Sequence, residues 1–153
     1  MAIEIIIAEE TARPVLRSLL SDYLTELGAY GEIDPEYRYF EAYWQEGSLR
    51  WPYFIQCHSR LIGFAFVRSA RDLQVDFSMA EFFILPEARG NGCGIAAATA
   101  IMRLHPGKWE VTVMQRNAPA QRFWPKVISA AGAGDVKRSE EQTDTSYRFT
   151  ISA

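Results

Sequence analysis

Between a β-prone run that ends at Leu85 and an alanine-rich run that reaches His105, three glycines stand at alternate positions: Gly90, Gly92 and Gly94. The segment reads Ile84-Leu85-Pro86-Glu87-Ala88-Arg89-Gly90-Asn91-Gly92-Cys93-Gly94-Ile95. Glycine tolerates positive φ and carries no Cβ, so such a loop turns tightly and brings successive backbone N–H groups close to a ligand. A helix starting near Gly94 adds the positive end of its dipole, and Arg89 adds a cation. Strand, loop and helix in this order suit an anion such as a pyrophosphate. Two other phosphate motifs fail here. A P-loop needs Lys and then Ser or Thr after its last glycine, and the dinucleotide fingerprint beginning at Gly90 would need glycine at position 95, where Ile95 stands.

The rest of the chain decides what surrounds that loop. Ile3 to Ala8 is apolar and β-branched, which predicts a strand buried on both faces. Thr11 is the expected cap of a helix whose Leu16, Leu19, Leu20, Tyr23, Leu24 and Leu27 recur at three- and four-residue steps, with Gly28 as its stop. A second, aromatic helix is expected from Pro35, capped by Asp34, to Gly47. Runs at Trp51–Cys57, Leu61–Val67 and Leu73–Leu85 with short polar connections predict an antiparallel meander. After the glycine loop come a helix from Gly94 to His105, a strand from Trp109 to Met114, and a helix capped by Asn117 with Phe123, Trp124, Val127 and Ile128 on its apolar face. Asp135 to Asp144 is expected as an edge strand plus loop, and Tyr147 to Ile151 as the closing strand. This is an α+β order, with strands first and a helical crossover later, in one domain spanning residues 1–153.

Composition narrows the function. With 48% apolar and 23% charged residues, 153 residues close a core without disulfides, which excludes a disordered chain or a disulfide-stapled miniprotein. The net charge is −3 and the basic residues are not clustered, so binding driven by a nucleic-acid backbone is not expected. No apolar run approaches the roughly 20 residues of a membrane span, and the start Met-Ala-Ile-Glu lacks a basic leader. Two cysteines without ligand spacing give no metal site and place the chain in a reducing cytoplasm.

The pattern Ile84-x-Pro86-x-x-Arg89-Gly90-x-Gly92-x-Gly94 resembles the Arg/Gln-x-x-Gly-x-Gly/Ala signature of the GNAT superfamily of acyl-CoA-dependent N-acyltransferases. Downstream, Asn117-x-x-Ala120-x-x-Phe123-Trp124-x-Lys126 is similar to that superfamily's second signature, and the order of elements matches over essentially the whole chain. The resemblance implies a mixed, mostly antiparallel splayed sheet flanked by helices on both faces. Its fourth and fifth strands would part to admit a pantetheine arm. It further implies acetyl-CoA as acyl donor, with backbone groups of Phe83 and Ile84 pairing with that arm. Arg89, Gly90, Asn91, Gly92, Cys93 and Gly94 would hold the pyrophosphate, and Asn117 and Trp124 would lie toward the thioester. Many relatives carry Tyr where Trp124 stands and use its hydroxyl as general acid; an indole N–H does not give up a proton at neutral pH.

Acetyl transfer needs a neutral amine, hence a proton acceptor. Glu81, three residues before Ile84 in an apolar run with Met79, Phe82 and Phe83, is the candidate base; its alternatives are pairing with a neighbouring Arg or facing solvent. His58, in an expected turn, and His105, at a helix end, read as structural, and Cys93 as a small filler rather than a nucleophile. From Gly28 to Arg50, five acids oppose Arg38 and Arg50 among many aromatics. That balance suits a cationic amine acceptor, or else describes a core of rings under a solvated surface. The expected partner is a small-molecule or peptide amine, with a homodimer left open. The competing reading is a non-catalytic acyl-CoA-binding or regulatory module.

Overall fold

The computed structural model describes residues 2–153. Strand β1 (Ile3–Ile7) pairs antiparallel with β2 (Arg50–Cys57), but at the edge of the sheet, so Ile6 and Ile7 are 37% and 44% exposed instead of buried on both faces. Helix α1 (Arg13–Leu27) is entered through a single 3-10 turn, Glu10–Ala12, that contains Thr11. Ala12 takes the cap position expected of Thr11, with Pro14 as the second residue of the helix. The leucine stripe behaves as its spacing requires: Leu16, Leu19, Leu20 and Leu24 are buried with Phe64, Phe66 and Phe83 of the sheet.

The second helix is absent. Asp34 accepts two backbone N–H bonds, from Glu36 and Arg38, and Tyr37 lies at φ 46°, so the chain turns where a helix would begin. Only a 3-10 turn, Glu41–Trp44, remains. The aromatic residues instead dock singly: Tyr43 stacks on Phe66 at 4.0 Å, and the Trp44 indole donates to the Ala8 carbonyl at 2.9 Å.

Strands β2 and β3 (Arg60–Ser69) form a hairpin whose turn residues His58 and Ser59 both have positive φ, the geometry of a two-residue turn matched to strand twist. Strand β4 (Phe77–Ile84) starts later than its apolar run, because Arg71–Leu73 forms a 3-10 turn and Gln74 sits in the left-handed region. Its register against β3 pairs Phe66 with Glu81 and then Val67 with Met79, leaving Ala80 as a bulge. The bulge lets Met79 and Phe82 share the face of Ile84 while Glu81 and Phe83 point toward α1. At Gly63, opposite Ile84, a Cβ would lie 2.0 Å from the Phe83 carbonyl, so only glycine allows this approach of β3 to β4.

Helix α2 (Cys93–Leu104), strand β5 (Gly107–Met114), helix α3 (Ala118–Ala130) and strands β6 (Gly134–Glu140) and β7 (Asp144–Ile151) complete one seven-stranded sheet of order β1-β2-β3-β4-β5-β7-β6. All neighbours are antiparallel except β4 and β5. Helices α2 and α3 cover one face through Ala97, Ala98, Ile101, Trp124 and Val127, while α1 covers the other. The parallel pair β4–β5 is joined only at Phe77–Trp109 and Ser78–Glu110. From Met79 onward the two strands part, as the resemblance implied.

Candidate active site

The parting strands leave β4 without a ladder partner on its β5 side from Met79 to Ile84. A cleft of about 520 Å³ occupies the gap, within the range of small-molecule sites. Phe82, Phe123 and Trp124 form its apolar wall: Phe82 stacks on Phe123 at 5.5 Å and meets Trp124 edge-on at 5.4 Å. Trp124, only 6% exposed, belongs to the core and to the cleft wall at once.

Phe83 and Ile84 line the cleft from β4, and Gly90, Gly92, Gly94 and Arg89 from the loop. Gly90 and Gly92 both have φ +84°, and no atom lies within 4 Å of a Cβ at Gly90, so the turn exposes backbone as the spacing predicted. Gly94 has a different reason. A Cβ there would approach Phe123 to 3.1 Å, so this glycine lets α2 start against α3. Arg89 is bent back on itself: its Nε donates to the Ile84 carbonyl at 2.8 Å, and its terminal nitrogen pairs with Glu26 at 2.8 Å. Asn117 lines the cleft and caps α3 by accepting the Ala120 N–H at 3.2 Å.

Two residues expected at the pyrophosphate lie elsewhere. The Cys93 thiol is buried beneath α2, its Sγ 3.5 Å from that of Cys57, because the first residue of the helix turns into the core. The Asn91 carboxamide oxygen is engaged locally, accepting the Cys93 N–H at 3.1 Å, so Asn91 serves the helix start outside the cleft lining.

Glu81 sits on the α1 side of β4, behind the cleft. The Tyr23 hydroxyl donates to one carboxylate oxygen at 2.7 Å and the Tyr37 hydroxyl to the other at 2.8 Å. Burial pushes the Glu81 carboxyl above its ordinary pKa, and the two hydroxyls oppose part of that rise. Burial and the Glu81 charge together push both phenols well up, so they remain protonated donors. Tyr23 also lines the cleft, so one residue touches both the cleft and the carboxylate.

Several participants escaped the sequence reading. Tyr23 stood as one member of a leucine stripe, and nothing near it in sequence pairs it with Glu81, 58 residues away. Arg122 lines the cleft from α3 one helical turn before Lys126, the basic residue of the second signature, and the spacing of two cations on one helix face was the available signal for it. Two of the five acids of residues 28–50 have partners outside the cleft. Asp34 faces backbone and Arg38, and Glu41 pairs with Arg13, so this segment shows the Glu81 region rings and hydroxyls.

No protein-family profile matches the chain, and no curated protein does. Solved structures do. An acetyltransferase from Thermus thermophilus superposes with a TM-score of 0.70 at 14% identity, covering 97% of this chain and 96% of that one. An acetyltransferase of the GNAT family from Staphylococcus aureus gives 0.63 at 15% identity, covering 98% and 99%. The fold is that of the GNAT acetyltransferases. A further neighbour, the PaiA N-acetyltransferase from Thermoplasma acidophilum in complex with coenzyme A, gives a TM-score of 0.61 at 15% identity over 98% of this chain and 99% of that one. The likeness in fold runs over almost the entire chain, although the sequences have diverged far.

Proposed function

We propose that this protein transfers an acetyl group from acetyl-CoA directly to the primary amine of a small molecule or peptide. The observation that carries the reading is the opening of β4 from β5 beyond Ser78, with an exposed glycine turn at its mouth and a buried carboxylate three residues along the same strand. The groups present suit coenzyme A. Gly90 leaves the loop backbone open, Gly92 turns it at positive φ, and Arg89, Arg122 and Lys126 offer three cations to phosphates. The edge that β4 presents toward β5 from Met79 to Ile84, without a strand partner, suits an amide-bearing arm, and the solved neighbour with coenzyme A supports that occupant.

Acetyl-CoA supplies the activated acyl group as a thioester. The chain supplies position and a proton acceptor. The apolar wall of Phe82, Phe123 and Trp124 keeps water from the reacting carbonyl. An arriving ammonium loses its proton toward Glu81, through the Tyr23 hydroxyl that donates to it, and only the neutral amine then has the lone pair to attack. The raised pKa of Glu81 makes it a better base than a solvated carboxylate. Neither nearby ring serves as acid for the departing sulfur: the Trp124 indole holds its proton, and burial with the Glu81 charge makes Tyr23 a poor donor. Sulfur leaves as thiolate, an anion that an alkyl thiol yields far more readily than an alcohol yields alkoxide.

The test is a panel of primary amines, including polyamines, amino acids and peptides, incubated with acetyl-CoA while free thiol is followed and products are weighed. Thiol release that depends on one class of amine, with that amine acetylated, supports the reading. Tight binding of acetyl-CoA with no amine-dependent release across the panel points to a binding module.

A further inference from the structure

Cys57 and Cys93 are free thiols whose sulfurs stand 3.5 Å apart, one at the end of β2 and the other at the first residue of α2. They are 36 residues apart in sequence and brought together by the packing of α2 over the β1–β2 edge. We infer that they form a reversible intramolecular disulfide, a modification site that changes the geometry of the glycine loop. The part of this inference that concerns coenzyme A affinity rests on the function proposed above; the disulfide itself does not.

Access assigns the two sulfurs different roles. Cys57 is partly exposed beside the His58-Ser59 turn, whereas Cys93 is buried at 3% exposure. The reagent is a hydroperoxide. The Cys57 sulfur attacks the peroxide O–O bond, forming a sulfenic acid and releasing an alcohol. The Cys93 sulfur then attacks Cys57, the S–O bond breaks, and the hydroxyl leaves as water with the Cys93 proton. Two thiols and one hydroperoxide thus give one disulfide, one alcohol and one water. Burial and the adjacent Cys57 thiol push the Cys93 thiol up, which fits a resolving partner and not the first target of the oxidant. An external dithiol reverses the step by exchange.

Closing the bond shortens 3.5 Å to a covalent S–S distance of about 2.05 Å. Strand β2 lies two strands beyond β4 on the side away from β5, so the pull on α2 is directed away from the β4–β5 cleft. Cys93 follows Gly92 directly, and its N–H is tied to Asn91, so the loop is drawn with it. Oxidised protein therefore binds coenzyme A more weakly, by roughly tenfold, the loss of about one charge-assisted hydrogen bond to a phosphate. By linkage, bound coenzyme A disfavours the disulfide to the same extent.

The experiment treats the whole protein with tert-butyl hydroperoxide, counts thiols after denaturation, weighs the intact chain, and titrates oxidised and dithiothreitol-treated samples with coenzyme A. Expected are loss of both thiols, a mass lower by two hydrogens, a monomeric crosslink mapped to Cys57–Cys93, and weaker coenzyme A binding that dithiothreitol restores. Cys57→Ser forms no crosslink and binds coenzyme A alike before and after peroxide. Retention of the Cys93 thiol while Cys57 is oxidised to sulfinic acid, or crosslinking between chains only, overturns the site. A crosslink that leaves affinity unchanged overturns the link to the loop. A crosslink in a protein that binds coenzyme A in neither state supports the disulfide and overturns the cofactor reading instead.

Discussion

A carboxylate taken out of water protonates unless donors hold its charge, and Glu81 has one phenolic hydroxyl on each oxygen. That balance makes specific demands on the kinetics. The base works ionised, so the rate rises with pH through the elevated Glu81 pKa; in Glu81→Gln that limb disappears and turnover at neutral pH falls about 10²-fold or more, with coenzyme A affinity nearly unchanged. A pH–rate profile of both proteins checks this. Tyr23→Phe removes a hydrogen bond that lowers the Glu81 pKa, so its rising limb moves to higher pH, whereas a purely structural Tyr23 would leave the limb in place. Glu26 is the opposite case, a carboxylate holding Arg89 at the cleft. Glu26→Gln frees the guanidinium and removes a like charge from the phosphates, so calorimetry should show coenzyme A binding about two- to fivefold tighter, the scale of a half-exposed ion pair. Of these residues Glu81 was legible as a candidate, a charge set among Met79, Phe82 and Phe83 in an apolar run. Its tyrosine partners were not, because they lie 58 and 44 residues away and only the packing of α1 and the 28–49 segment on the sheet joins them.

The elements that position the site divide by whether their signal is local. The leucine period of α1, the apolar runs of the meander and the glycine loop are carried by neighbours in sequence, and each appears as expected apart from the start of the third run, where a 3-10 turn delays β4 to Phe77. The second helix failed because aromatic residues at near-helical spacing equally well line a loop that docks ring by ring, and Asp34 closes turns as readily as it caps helices. β1 failed as a doubly buried strand because edge or centre is decided by sheet order, which its own five residues do not encode. The close approach at Gly63 was invisible for the same reason, since the clash is with Phe83 of the next strand. Gly63→Ala forces β4 aside and should destabilise the protein by about 1–3 kcal/mol, lowering Tm and coenzyme A affinity together. Gly92→Val differs: a β-branched residue at φ +84° is strained locally, and its side chain meets the phosphate path, so coenzyme A binding falls far more than Tm does. Paired thermal melts and titrations of the two variants separate these outcomes.

Across the whole molecule the sheet is tight at one end of the β4–β5 junction and open at the other. At the tight end Trp109 donates to the His105 carbonyl at 2.8 Å, Phe77 packs on both, and the Tyr53 hydroxyl meets His105 Nε2 at 2.7 Å. Burial pushes the His105 pKa down, so folding favours neutral imidazole while the unfolded chain binds the proton more readily. This contribution to stability is complete above the unfolded histidine pKa of about 6.5 and is lost as pH falls below it toward the folded value. Thermal melts between pH 5 and pH 8 should show that acid limb shallower in His105→Gln than in the parent. At the open end, coenzyme A is proposed to enter where β4 and β5 part, and amide hydrogen exchange with and without coenzyme A decides the matter. Binding in the cleft slows exchange in β4 from residue 79 to 84 and in the loop from 89 to 94, with the His58-Ser59 turn and β6 unchanged; unchanged exchange in those two segments under saturating coenzyme A, or protection confined to the His105 end of the sheet, would contradict it.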